Sequence, residues 1–241
     1  MAEATRPDAT ELVGELEAMA TEAERTKYER YFPPDPDAPF LGVPMGRVFA
    51  LAKTALDLQI PELEWLLEHP EHEVRALACS IMGKSAADRR TSDERRAELF
   101  DLYLRRHDRI DQWDLVDLAA RDVIGARLAG APPAGADRSL LDRLAASDAW
   151  PERRTALVAT FAFLRRGEAD DTFRLAGALA EDPHPYVHKA VGWVLRSAGD
   201  LEPERLVAFV EARAARMPRA ALRAAIEHVP AEERKRILAI R

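Results

Sequence analysis

The stretch Val187-His-Lys-Ala-Val191 has three counterparts earlier in the chain, and together the four decide the fold. The counterparts are Val74-Arg-Ala-Leu-Ala78, Val116-Asp-Leu-Ala-Ala120 and Arg153-Arg-Thr-Ala-Leu157. In chain order, the first residues of the four stretches are separated by 42, 37 and 34 positions. These spacings are close to the roughly 40 to 47 residues of a HEAT or armadillo helix pair. This repeat predicts an α-solenoid of HEAT-like antiparallel helix pairs, whose stacked units present a concave surface to an extended ligand.

The composition around these repeats also favours helices. The chain has 241 residues, of which 47% are hydrophobic and 32% charged, with only 11 glycines. Its commonest residues, Ala, Leu, Arg and Glu, are strong helix formers. From Pro44 onward, apolar runs alternate with short polar or proline-containing breaks, and no convincing strand pattern interrupts them. The sequence therefore predicts an all-α chain.

The predicted organisation is one domain over residues 1–241 with three parts. Residues 1–30 are expected to form an acidic N-terminal helix, beginning near Thr10. Residues 31–43 are expected to form a rigid connector, because four prolines fall within the ten residues 31–40. Residues 44–241 are assigned to the helical repeats.

Charge and cysteine content restrict the classes of function. The formal net charge is −7, and residues 1–24 hold seven acidic side chains against one arginine, so the remaining chain is nearly neutral. A local basic surface is therefore compatible with the net charge. No stretch is long and apolar enough to span a membrane, and we expect a cytoplasmic monomer without membrane association. The single cysteine, Cys79, lies in an apolar helical run and is expected to be a small buried hydrophobe.

Four polar residues share one position in the aligned repeats: Arg75, Asp117, Arg154 and His188. If the repeats stack regularly, their side chains line up on one face. Such a row is compatible with ligand binding, and equally with the polar ladders that join neighbouring repeats. Arginine doublets such as Arg105-Arg106 are weak evidence for phosphate contact, since cations near helix ends also complement the helix dipole.

Tryptophans beside these positions favour ligand binding. Trp113 is four residues before Asp117, and Trp193 is four residues after Lys189, so each pair shares a helix face. Arg196 extends the second surface. An isolated tryptophan is more often a core residue, and we predict that role for Trp65. Indoles beside cations and a carboxylate instead suit a sugar-phosphate backbone.

Several other chemistries lack the residues they need. The spaced histidine pairs, such as His69 with His72, have no accompanying cysteine or acid pattern for a metal site. The sequence contains no glycine-rich phosphate loop and no nucleophile motif. We therefore predict neither a metal nor a cofactor.

Three segments carry a resemblance to a known family. They are Asp111-Gln-Trp-Asp-Leu-Val-Asp117, Trp150-Pro-Glu-Arg-Arg-Thr-Ala-Leu157 and His188-Lys-Ala-Val-Gly-Trp-Val-Leu-Arg196. In this order they resemble the AlkD-like family of DNA alkylation repair glycosylases, which are HEAT-like repeat proteins. The likeness extends from Phe40-Leu-Gly-Val-Pro44 to Met217–His228, and so covers nearly the whole chain.

The resemblance implies a function and a set of site residues. It implies excision of N3- or N7-alkylated purines from double-stranded DNA, by metal-free hydrolysis of the N-glycosidic bond. The matching positions imply catalytic roles for Asp117, Trp113 and Trp193, and a phosphate contact by Arg154. We expect three neighbouring cations to contact DNA as well: Arg153, Lys189 and Arg196.

Two other interpretations remain open at the level of sequence. A HEAT-repeat protein that binds distorted or branched DNA without catalysis would need the cations but not the carboxylate at Asp117. A protein-interaction scaffold would need neither, and is compatible with the acidic net charge.

Overall fold

The computed structural model describes residues 8–30, 32, 38–130 and 137–240. Within these ranges the chain forms helices joined by short turns, and no strand occurs. The prediction of an all-α, α-solenoid-like fold is therefore confirmed. The predicted concave ligand surface stays a prediction.

The helices pack into two compact units, which divide between Val123 and Ile124. The helices of the N-terminal unit are α1 Ala9–Met19, α2 Glu22–Tyr28, α3 Met45–Ala52, α4 Ile60–Glu68, α5 His72–Ala87, α6 Asp93–Arg105 and α7 Trp113–Ala120. A 3-10 turn, His107–Arg109, precedes α7, and a π-helical turn, Arg121–Gly125, follows it. The predicted organisation as one domain stays a prediction.

The C-terminal unit holds the remaining helices. They are α8 Ala126–Leu128, α9 Ser139–Ala145, α10 Trp150–Ala159, α11 Phe161–Leu164, α12 Asp170–Ala178, α13 Pro185–Gly199, α14 Pro203–Glu211, α15 Arg219–Ala225 and α16 Ala231–Ala239. Helix α13 is central, because α10, α12, α14 and α15 all pack against it. At Gly192 its backbone comes so close to α15 that a Cβ atom would lie 2.7 Å from the Ala224 Cβ atom.

Helix α5 is the core of the N-terminal unit. It packs against α3, α4, α6 and α7, so nearly all of its side chains are buried. This explains its small, apolar composition. Cys79 has no exposed surface, and burial raises the pKa of its thiol, so the prediction of a buried hydrophobe is confirmed.

The N-terminal segment differs from the single helix predicted for residues 1–30, of which residues 1–7 lie outside the described ranges. It is divided into α1 and α2 by extended backbone at Ala20 and Thr21. The Thr21 hydroxyl accepts a hydrogen bond from the Glu24 N–H at 3.3 Å, and so caps α2. Hydrophobic periodicity alone predicts one continuous helix, whereas the capping residue Thr21 starts a second helix.

The predicted connector, residues 31–43, lies partly outside the described residues, at 31 and 33–37. Its end is fixed to α5 by the buried carboxylate of Glu73. That carboxylate accepts hydrogen bonds from the backbone N–H groups of Leu41, Gly42 and Val43, at 2.8 to 3.0 Å. The segment before α3 is thereby held against the start of α5.

Candidate functional site

A cavity of about 420 Å³ in the N-terminal unit includes two predicted site residues, Trp113 and Asp117, in its wall. Both side chains are half-buried. The other residues of the wall are Tyr28, Phe32, Met45, Phe49, His72, Asp114 and Leu118. The cavity therefore combines a mainly aromatic and apolar wall with two carboxylates.

The position of α7 brings Trp113 and Asp117 into this wall. The helix begins at Trp113, after extended backbone at Gln112, and Asp117 follows one turn later on the same face. Close packing against α5 fixes α7 in place. At Gly83 of α5, a Cβ atom would collide with the carbonyl oxygen of Leu118, so this contact requires glycine.

Aromatic rings support Trp113 from the side of the connector. The Phe32 ring stacks on the Trp113 ring with 5.8 Å between centroids and 10° between planes. The ring centroids of Phe40 and Phe32 are 5.2 Å apart, and those of Tyr28 and Phe40 are 5.3 Å apart. The indole is therefore part of a packed cluster that limits its movement.

The hydroxyl of Tyr28 joins this cluster to the start of α3. It donates a hydrogen bond to the Val43 carbonyl oxygen at 2.9 Å and accepts one from the Met45 N–H at 3.1 Å. Burial raises the pKa of Tyr28 from 10.0 to about 12. The phenol consequently stays neutral throughout the physiological range and acts as a fixed part of the wall.

His72 and Asp114 form a buried pair that the sequence did not predict. The His72 Nε2 atom lies 2.7 Å from Asp114 Oδ2, and the His72 side chain is only 3% exposed. The other oxygen, Asp114 Oδ1, is buried without a hydrogen-bond partner among the described residues. The pair links the first turns of α5 and α7, and it distinguishes Asp114 from Asp117, three residues later.

The remaining predicted site residues all belong to the C-terminal unit. Trp193 is half-buried and packs against Phe161, with 4.4 Å between ring centroids. Lys189 is exposed, and its Nζ atom lies 5.1 Å from the centroid of the Tyr186 ring. The predicted shared binding surface of Trp193, Lys189 and Arg196 stays a prediction.

Three arginines of this unit, those predicted to contact DNA, are bound to protein groups. Arg153 Nε lies 2.6 Å from Asp182 Oδ2, and the guanidinium also donates to two backbone carbonyl groups. Arg154 is 4% exposed and donates to the carbonyl oxygen of Tyr186. Arg196 forms an ion pair with Glu227. Their contacts with DNA stay predictions.

Two members of the aligned repeat position, Arg75 and Arg154, show how the position is used structurally. Arg75 is fully buried, and its Nη1 atom binds the Asp111 carboxylate at 2.7 Å. Each of these arginines thus contacts a residue of a later segment, 36 or 32 positions ahead. At these two positions the side chains make the ladder contacts expected of repeat proteins.

The prediction of a core position for Trp65 is wrong. Its side chain is 45% exposed, because it lies on the outer face of α4 beside His69. Among the described residues, no helix is long and apolar enough to cross a membrane. The same residues contain no group of three or more His, Cys, Asp or Glu side chains placed to hold a metal ion.

Comparison with known proteins gives a family match over most of the chain. The family model described as DNA alkylation repair enzyme matches residues 12–229. A solved structure, a predicted DNA alkylation repair enzyme from Enterococcus faecalis, is similar with a TM-score of 0.66 and 17% sequence identity. The alignment covers 88% of this chain and 98% of that one, and at this identity it supports the fold. No curated protein matches significantly.

Proposed function

Because the chain belongs to the family of DNA alkylation repair enzymes, we propose that it is a monofunctional DNA glycosylase that hydrolyses the N-glycosidic bond of N3- or N7-alkylated purines in double-stranded DNA. The observation that carries this proposal is the cavity wall shared by Trp113 and Asp117. It combines an indole and a carboxylate at the spacing that the family resemblance implies for the catalytic pair.

The proposed reaction requires no acid to protonate the leaving base. A purine alkylated at N3 or N7 is cationic, and it becomes neutral when the electrons of the C1′–N bond pass to it. The sugar then develops oxocarbenium character, and a water molecule adds its oxygen to C1′ and releases a proton. The site must therefore stabilise positive charge on the sugar.

Asp117 supplies the negative charge in this proposal. Its carboxylate opposes the charge of the sugar, orients the water molecule and accepts its proton. The aromatic and apolar wall strengthens this interaction, because a charge in a poorly hydrated cavity acts at a lower effective dielectric constant than in water. Trp113 faces the deoxyribose and adds cation–π stabilisation. The family resemblance implies the same role for Trp193. Arg154 and its neighbouring cations contact phosphates.

The test is release of N7-methylguanine or N3-methyladenine from alkylated duplex DNA under single-turnover conditions. We expect Asp117→Asn to lower the rate constant by about 10²- to 10³-fold, the usual effect of removing one electrostatic contact to the transition state. Asp93→Asn is the matched control, because the Asp93 side chain is 90% exposed on α6. It should release base at the wild-type rate.

The outcomes separate the proposal from its alternatives. Equal release by wild type and Asp117→Asn would remove the proposed role of the carboxylate. Absence of release by wild type, with salt-sensitive DNA binding intact, would indicate a non-catalytic DNA-binding protein. Absence of both would favour the protein-interaction scaffold.

A further inference from the structure

Two lysines lie near Phe49, a residue of the proposed active-site cavity. Phe49 lines the cavity from α3. Lys53 is four residues further along the chain, so it lies one turn beyond Phe49 on the same side of α3. Lys84 extends from α5, and its Nζ atom lies 4.9 Å from the centroid of the Phe49 ring. The edge of the cavity at Phe49 is therefore cationic.

Lys84 is held in place before any ligand binds. Its ammonium group donates a hydrogen bond to Ser80 Oγ at 2.6 Å, and its side chain is half-buried. Burial, and secondarily the charge of Lys53, lowers the pKa of Lys84. Both effects disfavour the charged form of Lys84.

Neither ammonium group has an ion-pair partner in the described part of the chain. Acidic residues do occur in the cleft that adjoins Lys53, but arginines bind two of them. Asp88 pairs with Arg90 at 2.7 Å, and Glu98 pairs with Arg95 at 3.4 Å. An anion bound beside Lys53 and Lys84 would stabilise both ammonium charges.

We infer that Lys53 and Lys84 bind a backbone phosphate of the DNA strand that enters the cavity. The assignment of DNA as the ligand rests on the proposed function. A phosphodiester group fits this place because it carries one negative charge and several acceptor oxygens, and lysine donates to such groups as a compact charge. Contact here would place the adjoining sugar beside the wall that carries Trp113 and Asp117.

The test is the salt dependence of binding to duplex DNA, measured by fluorescence anisotropy for wild type and for the variants Lys53→Gln and Lys84→Gln. Each phosphate contact contributes about 0.9 to the slope of log K against log salt concentration. Because both lysines bind one phosphate, we expect the double variant to reduce the slope by about that amount and each single variant to reduce it by part of it. Lys84→Arg keeps the charge and should keep the slope.

Lys235→Gln is the matched control, because Lys235 is 73% exposed and pairs with Glu232 at 2.7 Å. Thermal unfolding by circular dichroism checks that every variant is folded. Wild-type slopes in both Gln variants, with DNA binding intact, would overturn this inference and leave the proposed function standing. Reduced slopes in a protein that releases no base would support this site while overturning the glycosylase proposal.

Discussion

Three arginines of the C-terminal unit and two lysines of the N-terminal unit differ in how the protein binds their charges. In the C-terminal unit, Arg153, Arg154 and Arg196 are bound by a carboxylate or a carbonyl group of the same unit. In the N-terminal unit, Lys53 and Lys84 lie near Phe49 of the cavity wall, and neither forms an ion pair with a described residue. A phosphate contact by Arg153 or Arg196 would therefore replace a carboxylate contact, whereas a contact by Lys53 or Lys84 would break no ion pair of the described residues.

The largest expected effect is on stability, and it concerns the ion pair of Arg153 with Asp182. Both side chains are mostly buried, at 13% and 3% exposure. Asp182→Ala would leave a buried guanidinium without its counter-charge, so we expect the free energy of unfolding to fall by about 3–5 kcal/mol. Urea unfolding measures this change.

Glu227→Ala is the control for this variant, since Glu227 pairs with Arg196 at the surface and is 55% exposed. An exposed pair is worth about 0–1 kcal/mol. Similar losses in the two variants would show that Arg153 is not held by Asp182. It would then be as available to DNA as Lys53 and Lys84, and the contrast between the units would disappear.

The next effect concerns the close packing that positions the cavity wall. Gly83→Ala would place a Cβ atom against the backbone of Leu118, and separating α5 from α7 should cost about 1–3 kcal/mol of stability. Gly46, in α3, has nothing within 4 Å of a Cβ position. Gly46→Ala should therefore stabilise the protein by about 0.5–1 kcal/mol.

If α5 and α7 approach each other as closely as described, Gly83→Ala should lower the temperature of thermal unfolding and Gly46→Ala should raise it. Asp117 precedes Leu118 on α7, so Gly83→Ala should also slow base release, whereas Gly46→Ala should not. An increase in stability for both variants would contradict the close approach of α5 to α7.

Much of this fold could be predicted because local signals agree with tertiary packing. Short polar or proline-containing breaks were predicted between the apolar runs, and α7 begins directly after the polar residue Gln112, and α15 directly after Pro218. The prediction of one helix over residues 1–30 was wrong because a local capping signal divides that segment. Thr21 and Glu24 form a capping pattern, and the structure begins a new helix there.

The candidate site was only partly predictable, for a geometric reason. Trp113 and Asp117 are four residues apart on one helix, and helical spacing suffices to put them on one face. His72 and Asp114 are 42 residues apart, and they meet only because α5 and α7 pack side by side. Lys84 and Phe49 are likewise joined by packing of α5 on α3. Contacts between helices depend on a register that periodicity does not give.

A smaller effect would test the proposed catalytic roles of the two indoles, Trp113 and Trp193. Cation–π stabilisation is worth about 0.5–2 kcal/mol, so Trp113→Leu and Trp193→Leu should each slow single-turnover base release by about 2- to 30-fold. Trp65→Leu is the control, because this indole is exposed on α4. A slower rate in Trp113→Leu alone would remove Trp193 from the proposed site.

The smallest effect is a pH dependence specific to the cavity wall. The pKa of Tyr28 is raised to about 12 in the folded protein, against 10.0 for the ordinary group. Above pH 10 the unfolded chain releases this proton while the folded chain keeps it, so stability falls as pH rises from 10 toward 12. Below pH 10 both states hold the proton, and the contribution of the buried phenol is fully present.

Tyr28→Phe removes this titration and the hydrogen bonds to Val43 and Met45. The variant should be less stable at pH 8, by about 0.5–1.5 kcal/mol for each hydrogen bond. Its difference from wild type should then shrink as the pH is raised above 10. Urea unfolding at several pH values compares the two proteins, and the other titrating groups cancel because both contain them. Parallel stability curves from pH 8 to 11 would mean that the Tyr28 hydroxyl is accessible to water, and that the cavity wall is less closed than its contacts indicate.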